Sequence, residues 1–98
     1  MRLRFDAELW LTEGDGGWHF ITLPTDLAED VRDHSEGRTA GFGSVPVKAT
    51  IGATSWSTSI FPDKRRNSFV LPVKKAVRKA ERLEAGDVTE VQLLIGLE

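Results

Sequence analysis

Two Leu-Pro steps, Leu23-Pro24 and Leu71-Pro72, lie 48 residues apart in a chain of 98. Each closes an apolar, β-rich run and opens a segment of helical character, so the spacing divides the chain into two related halves. The copies read FITLPTDLAEDVRD and FVLPVKKAVRKAER; without gaps only the Leu, the Pro and one alanine (Ala28, Ala76) coincide. The relation is an echo of architecture rather than a close sequence repeat.

Strand signals dominate the first quarter. Leu3, Phe5, Ala7, Leu9 and Leu11 alternate with Arg2, Arg4, Asp6, Glu8, Trp10 and Thr12, the period of a strand with one face on a core. The cluster Glu13-Gly14-Asp15-Gly16-Gly17 supplies residues that accept positive φ and joins this strand to a second run, Trp18 to Leu23, as a hairpin. Pro24 ends pairing and suits the first turn of a helix, where its missing N–H has no partner to lose. Asp26 and Glu29 have capping-box spacing, and 25 to 34 reads as a helix with Leu27, Ala28 and Val31 inward and Asp26, Glu29, Asp30 and Asp33 in water.

The glycine-bearing stretch Ser35 to Gly43 reads as a loop, and Val45, Val47, Ala49 and Ile51 alternate as a third strand whose Pro46 favours an edge or a bulge. After Gly52 a Ser/Thr-rich run around Trp56 leads to Ile60-Phe61 and the turn Pro62 to Asn67, flanked by two more strands. From Pro72 the pattern becomes Val73, Ala76, Val77, Ala80 and Leu83, an amphipathic helical stripe. Gly86-Asp87 then turns the chain, with Gly86 at positive φ, into a last run from Val88 to Leu97. The order is ββαβ, then ββαβ, which predicts a mainly β fold: a small double-split β-barrel of two halves with two short helices.

The length fits one domain over residues 1–98, near the lower limit for a core without disulfides or metals, and 40% apolar with 29% charged residues is ordinary globular composition. With no cysteine there is neither a disulfide framework nor a thiolate site. Charges at Arg2, Arg4, Asp6 and Glu8 interrupt the apolar residues of MRLRFDAELWL, unlike a signal peptide or a membrane span, so the cytoplasm is the expected compartment.

The segments WHFITLP (18–24), TSIFP (58–62), FVLPVKKAVRKA (69–80) and GDVTEVQLLI (86–95), with Leu83, resemble an uncharacterised small domain found alone or fused to the YdeI/OmpD-associated bacteriocin-protection domain. The resemblance covers nearly the whole chain. It implies a double-split β-barrel, the architecture shared with AbrB/MazE-type transition regulators, and it implies no catalytic residues. The chain departs from that family in its three tryptophans without a tyrosine and in the very basic turn at 64 to 66.

Residues that carry chemistry are scarce. His19 and His34 are 15 positions apart, without the spacing of a helical metal pair, so neither metal nor cofactor is expected. Ser55, Ser57 and Ser59 alternate along one strand face, which reads as a solvated face, and no oriented base accompanies them as a serine nucleophile would require. The glycines at 14, 16 and 17 and at 41 and 43 lack the strand-to-helix context and Lys-Ser/Thr pair of a phosphate loop, and read as turns.

Charge is more informative. Residues 64–82 hold Lys64, Arg65, Arg66, Lys74, Lys75, Arg78, Lys79 and Arg82 against Glu81 alone, a balance of +7, while the remainder carries −9. Aligning the halves at their prolines sets Asp26 opposite Lys74 and Asp30 opposite Arg78. Three readings stand: a solvated face, a complement to the acidic helix of a second copy in a homodimer, or an anion or nucleic-acid surface. Against nucleic acid stand the acidic remainder and aromatics that are not interleaved with the basic cluster. Trp10 falls on the outward side of the first strand, and Trp10 and Trp56 join the basic residues as a candidate interaction surface. The expectation is a non-enzymatic binding module for a small molecule or protein partner; the alternative is an AbrB-like nucleic-acid binder using the 64–82 surface.

Overall fold

Period-two alternation governs which side chains form the core. Val45, Val47, Ala49 and Ile51 are buried while Pro46 and Lys48 between them are exposed, and Leu3, Phe5 and Leu9 are buried between exposed Arg4, Asp6 and Glu8. The computed structural model describes residues 1–14, 16–35 and 43–96. Its elements are β1 (Arg2–Leu11), β2 (His19–Thr22), α1 (Thr25–Ser35), β3 (Val45–Ile51), β4 (Thr54–Asp63), β5 (Ser68–Pro72), α2 (Lys75–Glu81) and β6 (Val88–Ile95). This is the ββαβ-ββαβ order expected. Asp15, all of the loop between Ser35 and Gly43, and residues 97 and 98 lie outside the described residues.

The strands close into a barrel in the order β1-β2-β5-β4-β3-β6, with every neighbouring pair antiparallel. Exchanging β1 with β4, β2 with β5 and β3 with β6 leaves this ring unchanged, so the halves interlock about a pseudo-two-fold axis. Thr22 pairs with Val70, its own counterpart 48 residues on. β1 and β4 pass from one side of the barrel to the other, each pairing one neighbour along its longer part and the other at its end, and the interior is filled by side chains from all six strands together with Ala28, Val31 and Val77 from the helices.

The two Leu-Pro corners agree in their leucines and differ in their prolines. Leu23 and Leu71 are 1% and 0% exposed. Pro24 directly precedes α1, and its carbonyl accepts the Ala28 N–H at 2.9 Å. Pro72, expected at a helix start as well, is instead the last residue of β5, opposite Phe20. The ladder explains why it is tolerated. Leu23 N–H donates to the Phe69 carbonyl and Val73 N–H to the His19 carbonyl, both at 3.0 Å, so alternation makes Phe20 and Pro72 a pair that exchanges no hydrogen bonds. Pro46 follows related logic: β3 is paired on both sides, but its ladder with β6 begins only at Val47.

The helices differ more than their sequences suggest. In α1, Ala28 and Val31 are buried, Leu27 is half-buried, and Asp26, Glu29, Asp30 and Asp33 are exposed, as the pattern predicts. Asp26 sits inside the first turn rather than at the cap, where its charge still favours the helix dipole. In α2 only Val77 of the expected stripe is buried within the helix; Ala76 and Ala80 are exposed, Val73 precedes the helix and Leu83 follows it. The helix is short because Arg82 adopts a left-handed conformation at φ 55°, and the Leu83 N–H closes back on the Arg78 carbonyl at 2.9 Å. Gly86 (φ 99°) then makes the turn into β6, its N–H donating to the Leu9 carbonyl at 2.7 Å.

Candidate functional site

The outer face of β1, β2, β5 and β4 carries a file of aromatic rings that strand register assembles from distant parts of the chain. Trp10 pairs with Phe20 and Phe20 with Pro72, all on the side opposite the core. Ring centroids lie 5.4 Å apart between Trp10 and Phe20, and Trp18 stacks on Phe20 at 6.4 Å with planes 10° apart. Beside them Phe61 pairs with Val70. Trp18 is 61% exposed and Phe61 42%.

Arg66 closes one end of the file. Its guanidinium lies 4.0 Å from the Trp10 ring and donates to Asp63 Oδ2 at 2.7 Å, while the Arg65 backbone N–H donates to Asp63 Oδ1 at 3.1 Å. Burial alone would raise the Asp63 pKa; the bonds and charge of Arg66, with the backbone contact, outweigh it and hold the carboxyl below its ordinary value. Trp10 is fixed from the other side, its indole N–H donating to Thr22 Oγ1 at 2.9 Å. Arg66 is thus engaged within the molecule, as is Trp10.

At the other end the file opens onto a cleft of about 330 Å³ between the Gly16–His19 loop, the middle of β4 and the start of α2. Lys74, Lys75, Arg78 and Trp18 line it, and among the described residues no carboxylate does. Arg78 is half-buried, and its Nε donates to the Val73 carbonyl at 3.1 Å, which fixes the guanidinium and leaves its fork of terminal N–H groups. Among the described residues the only carboxylate pairs are Arg4–Glu90 and Arg66–Asp63, so these three cations have no ionic partner there. His19 also lines the cleft, and its Nδ1 lies 2.8 Å from the Gly17 carbonyl. Since a carbonyl only accepts, Nδ1 carries the proton, and in the neutral ring Nε2 is an acceptor. A second, almost wholly apolar depression between Thr12, Phe20, Phe61 and Val70 shares Trp18 and Pro72 with the cleft.

The basic residues of 64–82 do not form one patch. The turn holding Lys64, Arg65 and Arg66 precedes β5, and Lys74, Lys75, Arg78, Lys79 and Arg82 follow it, so the length of a five-residue strand, about 17 Å, separates them. Lys79 and Arg82 border a neighbouring, more open depression with Leu83 and Glu84, which shares His19, Lys75 and Arg78 with the cleft. Trp56 turns inward from β4 at 8% exposure and belongs to the core, and it also lines the cleft. Ser55 and Ser57 are exposed on the opposite face of that strand. Phe20, Phe61 and Pro72 escaped the sequence reading, although parity with the inward Ile21 and Leu23 already sets Phe20 outward.

The family model for a domain of unknown function, DUF1905, matches residues 5–93. The chain belongs to this family. No match is found among curated proteins. In this DUF1905 domain, no three His, Asp or Glu side chains come together as a metal set among the described residues, and no described helix is long and apolar enough to cross a membrane.

Proposed function

We propose that this DUF1905 domain is a non-enzymatic binding module that takes its ligand on the outer face of β1, β2 and β5, where the aromatic file meets the cationic cleft. One observation carries the reading: Trp18 is exposed and yet held in place by stacking on Phe20, next to three cations with no ionic partner among the described residues. A contiguous patch of exposed rings marks an interaction surface, and a concave site with apolar walls and a few placed polar groups is the usual form of a ligand site. The resemblance to a domain found alone or fused to a bacteriocin-protection domain is in keeping with an accessory role beside a partner. The alternative, a nucleic-acid binder, needs a continuous basic track for phosphates, and β5 divides the basic residues into two groups.

The test is a titration of tryptophan fluorescence with a metabolite library, beside a salt series with duplex DNA. Saturable quenching that disappears in Trp18→Ala supports the module. Tight duplex binding that weakens steeply with salt, and no metabolite response, would replace it by the nucleic-acid reading.

A further inference from the structure

The cleft beside Trp18 has a chemistry more specific than binding in general. Lys74, Lys75 and Arg78 face it, and among the described residues no carboxylate lines it, so an anionic guest supplies the charge that this lining lacks. The terminal N–H fork of Arg78, held by the Nε bond to the Val73 carbonyl, matches two oxygens of one carboxylate or phosphate. The flat indole of Trp18 also lines it, set by stacking on Phe20 and by Gly16, where an added Cβ would come within 3.1 Å of the ring. A volume of about 330 Å³ is at the low end for small-molecule sites, roughly 300–1,000 Å³, and admits a small ring system rather than a protein segment. The wider charge distribution also selects for size. A small anion held in the cleft stays within the local positive field, whereas a polyanion would extend over a remainder that carries −9.

Resting on the binding-module reading, we infer that the cleft selects a small planar molecule bearing an oxyanion, a carboxylate or a phosphate ester, with its ring against Trp18 and its charge at Arg78, Lys74 and Lys75. The experiment is an NMR titration of the full chain with 2-naphthoate, 2-naphthyl phosphate, 2-naphthalenemethanol and inorganic phosphate. At least one ring oxyanion should shift the Trp18 indole N–H and the Gly16, Gly17 and Val73 to Lys75 amides, and bind about tenfold or more tightly than the alcohol or inorganic phosphate, the factor expected from charge-assisted contacts. The preferred oxyanion tells a carboxylate site from a phosphate site. The double variant Lys74→Gln, Lys75→Gln, both exposed, should lose most of that advantage with an otherwise native spectrum. Trp18→Ala should weaken the ring compounds and leave inorganic phosphate unchanged. Equal binding of the alcohol, shifts that map outside the cleft, no response to either ring oxyanion, or an unchanged double variant would each overturn the inference. A neutral library compound that maps to the aromatic file overturns it while sparing the binding-module reading, which fails only if the library as a whole gives no response.

Discussion

The two halves solve the same folding problem and leave different surfaces. In each, a hairpin turn comes close to the helix of the other half: Lys64–Asn67 to α1, Gly16–His19 to the start of α2. On the α1 side the contact is closed by internal partners. Arg32 donates to Asn67 Oδ1 at 3.2 Å and lies 5.8 Å from the Phe69 ring, and Asp63 takes Arg66. On the α2 side Lys74, Lys75 and Arg78 stand around a cleft that no carboxylate lines among the described residues. The barrel needs matching leucines at the two corners but not matching helix surfaces, so surface chemistry is free to diverge where the fold does not constrain it.

The comparison breaks most visibly at the corners. Leu23→Ala and Leu71→Ala each remove a fully buried side chain at equivalent places, and each should cost about 2–5 kcal/mol. Urea unfolding of both variants checks this. Similar losses support mechanical equivalence; a near-neutral result at either leucine ends it.

The next effect belongs to the α2 half alone. Gly52 turns the β3–β4 hairpin at φ 57°, and a Cβ there would collide with the Glu81 carboxylate, which accepts from Thr54 Oγ1 at 2.6 Å. Gly52→Ala should therefore cost roughly 1–2 kcal/mol from the left-handed backbone, and more from displacing Glu81. Adding Glu81→Ala should return the second part only. Unfolding midpoints of the single and double variants measure the clamp, and an unchanged Gly52→Ala would show that α2 is not held by this turn.

Legibility followed the physics of each element. Val45 to Ile51 was readable because period-two burial is written into residue order, and the acidic face of α1 because its buried and charged positions alternate at helical spacing. Ala76 and Ala80 misled because alanine favours helix whether or not it is buried, and nothing in KAVRKAER announces that Arg82 will take a left-handed conformation after two turns. Trp56 lay among serines and threonines, yet its parity with Ile60 turns it inward. The aromatic file was the hardest to see. Trp10, Trp18, Phe20 and Arg66 meet only through the β1–β2–β5 register and the reach of one long side chain, and register is a property of the closed barrel.

A smaller effect sharpens the contrast at the closed end of the file. Arg66→Ala removes the cation above Trp10 and the Asp63 pair, both near the surface, and should cost about 0.5–1 kcal/mol for the ring contact. Trp10 fluorescence should change, while the cleft near Trp18 and its ligand response should not. If the same substitution abolishes a ligand response assigned to the cleft, the two ends of the file are coupled and the division between closed and open sides fails.

The smallest effect is a pH dependence confined to that closed end. Because Arg66 and the Arg65 N–H hold the Asp63 carboxyl below its ordinary value of 3.8, the folded state binds this proton less readily than the unfolded chain does. The stabilisation is therefore fully present above the unfolded pKa and is lost as pH falls through the depressed folded value. Asp63→Asn cannot titrate, so the advantage of the parent over this variant should be constant near neutrality, shrink below about pH 4 and vanish in stronger acid. Parallel urea titrations across that range measure the difference directly, with the exposed position of Arg66 keeping it small. A difference that grows on acidification would reverse the sign and show that the Arg66 pair does not favour the ionised carboxylate. A flat difference would mean that the contribution of Asp63 does not depend on its ionisation, only on the second acceptor oxygen that the amide lacks.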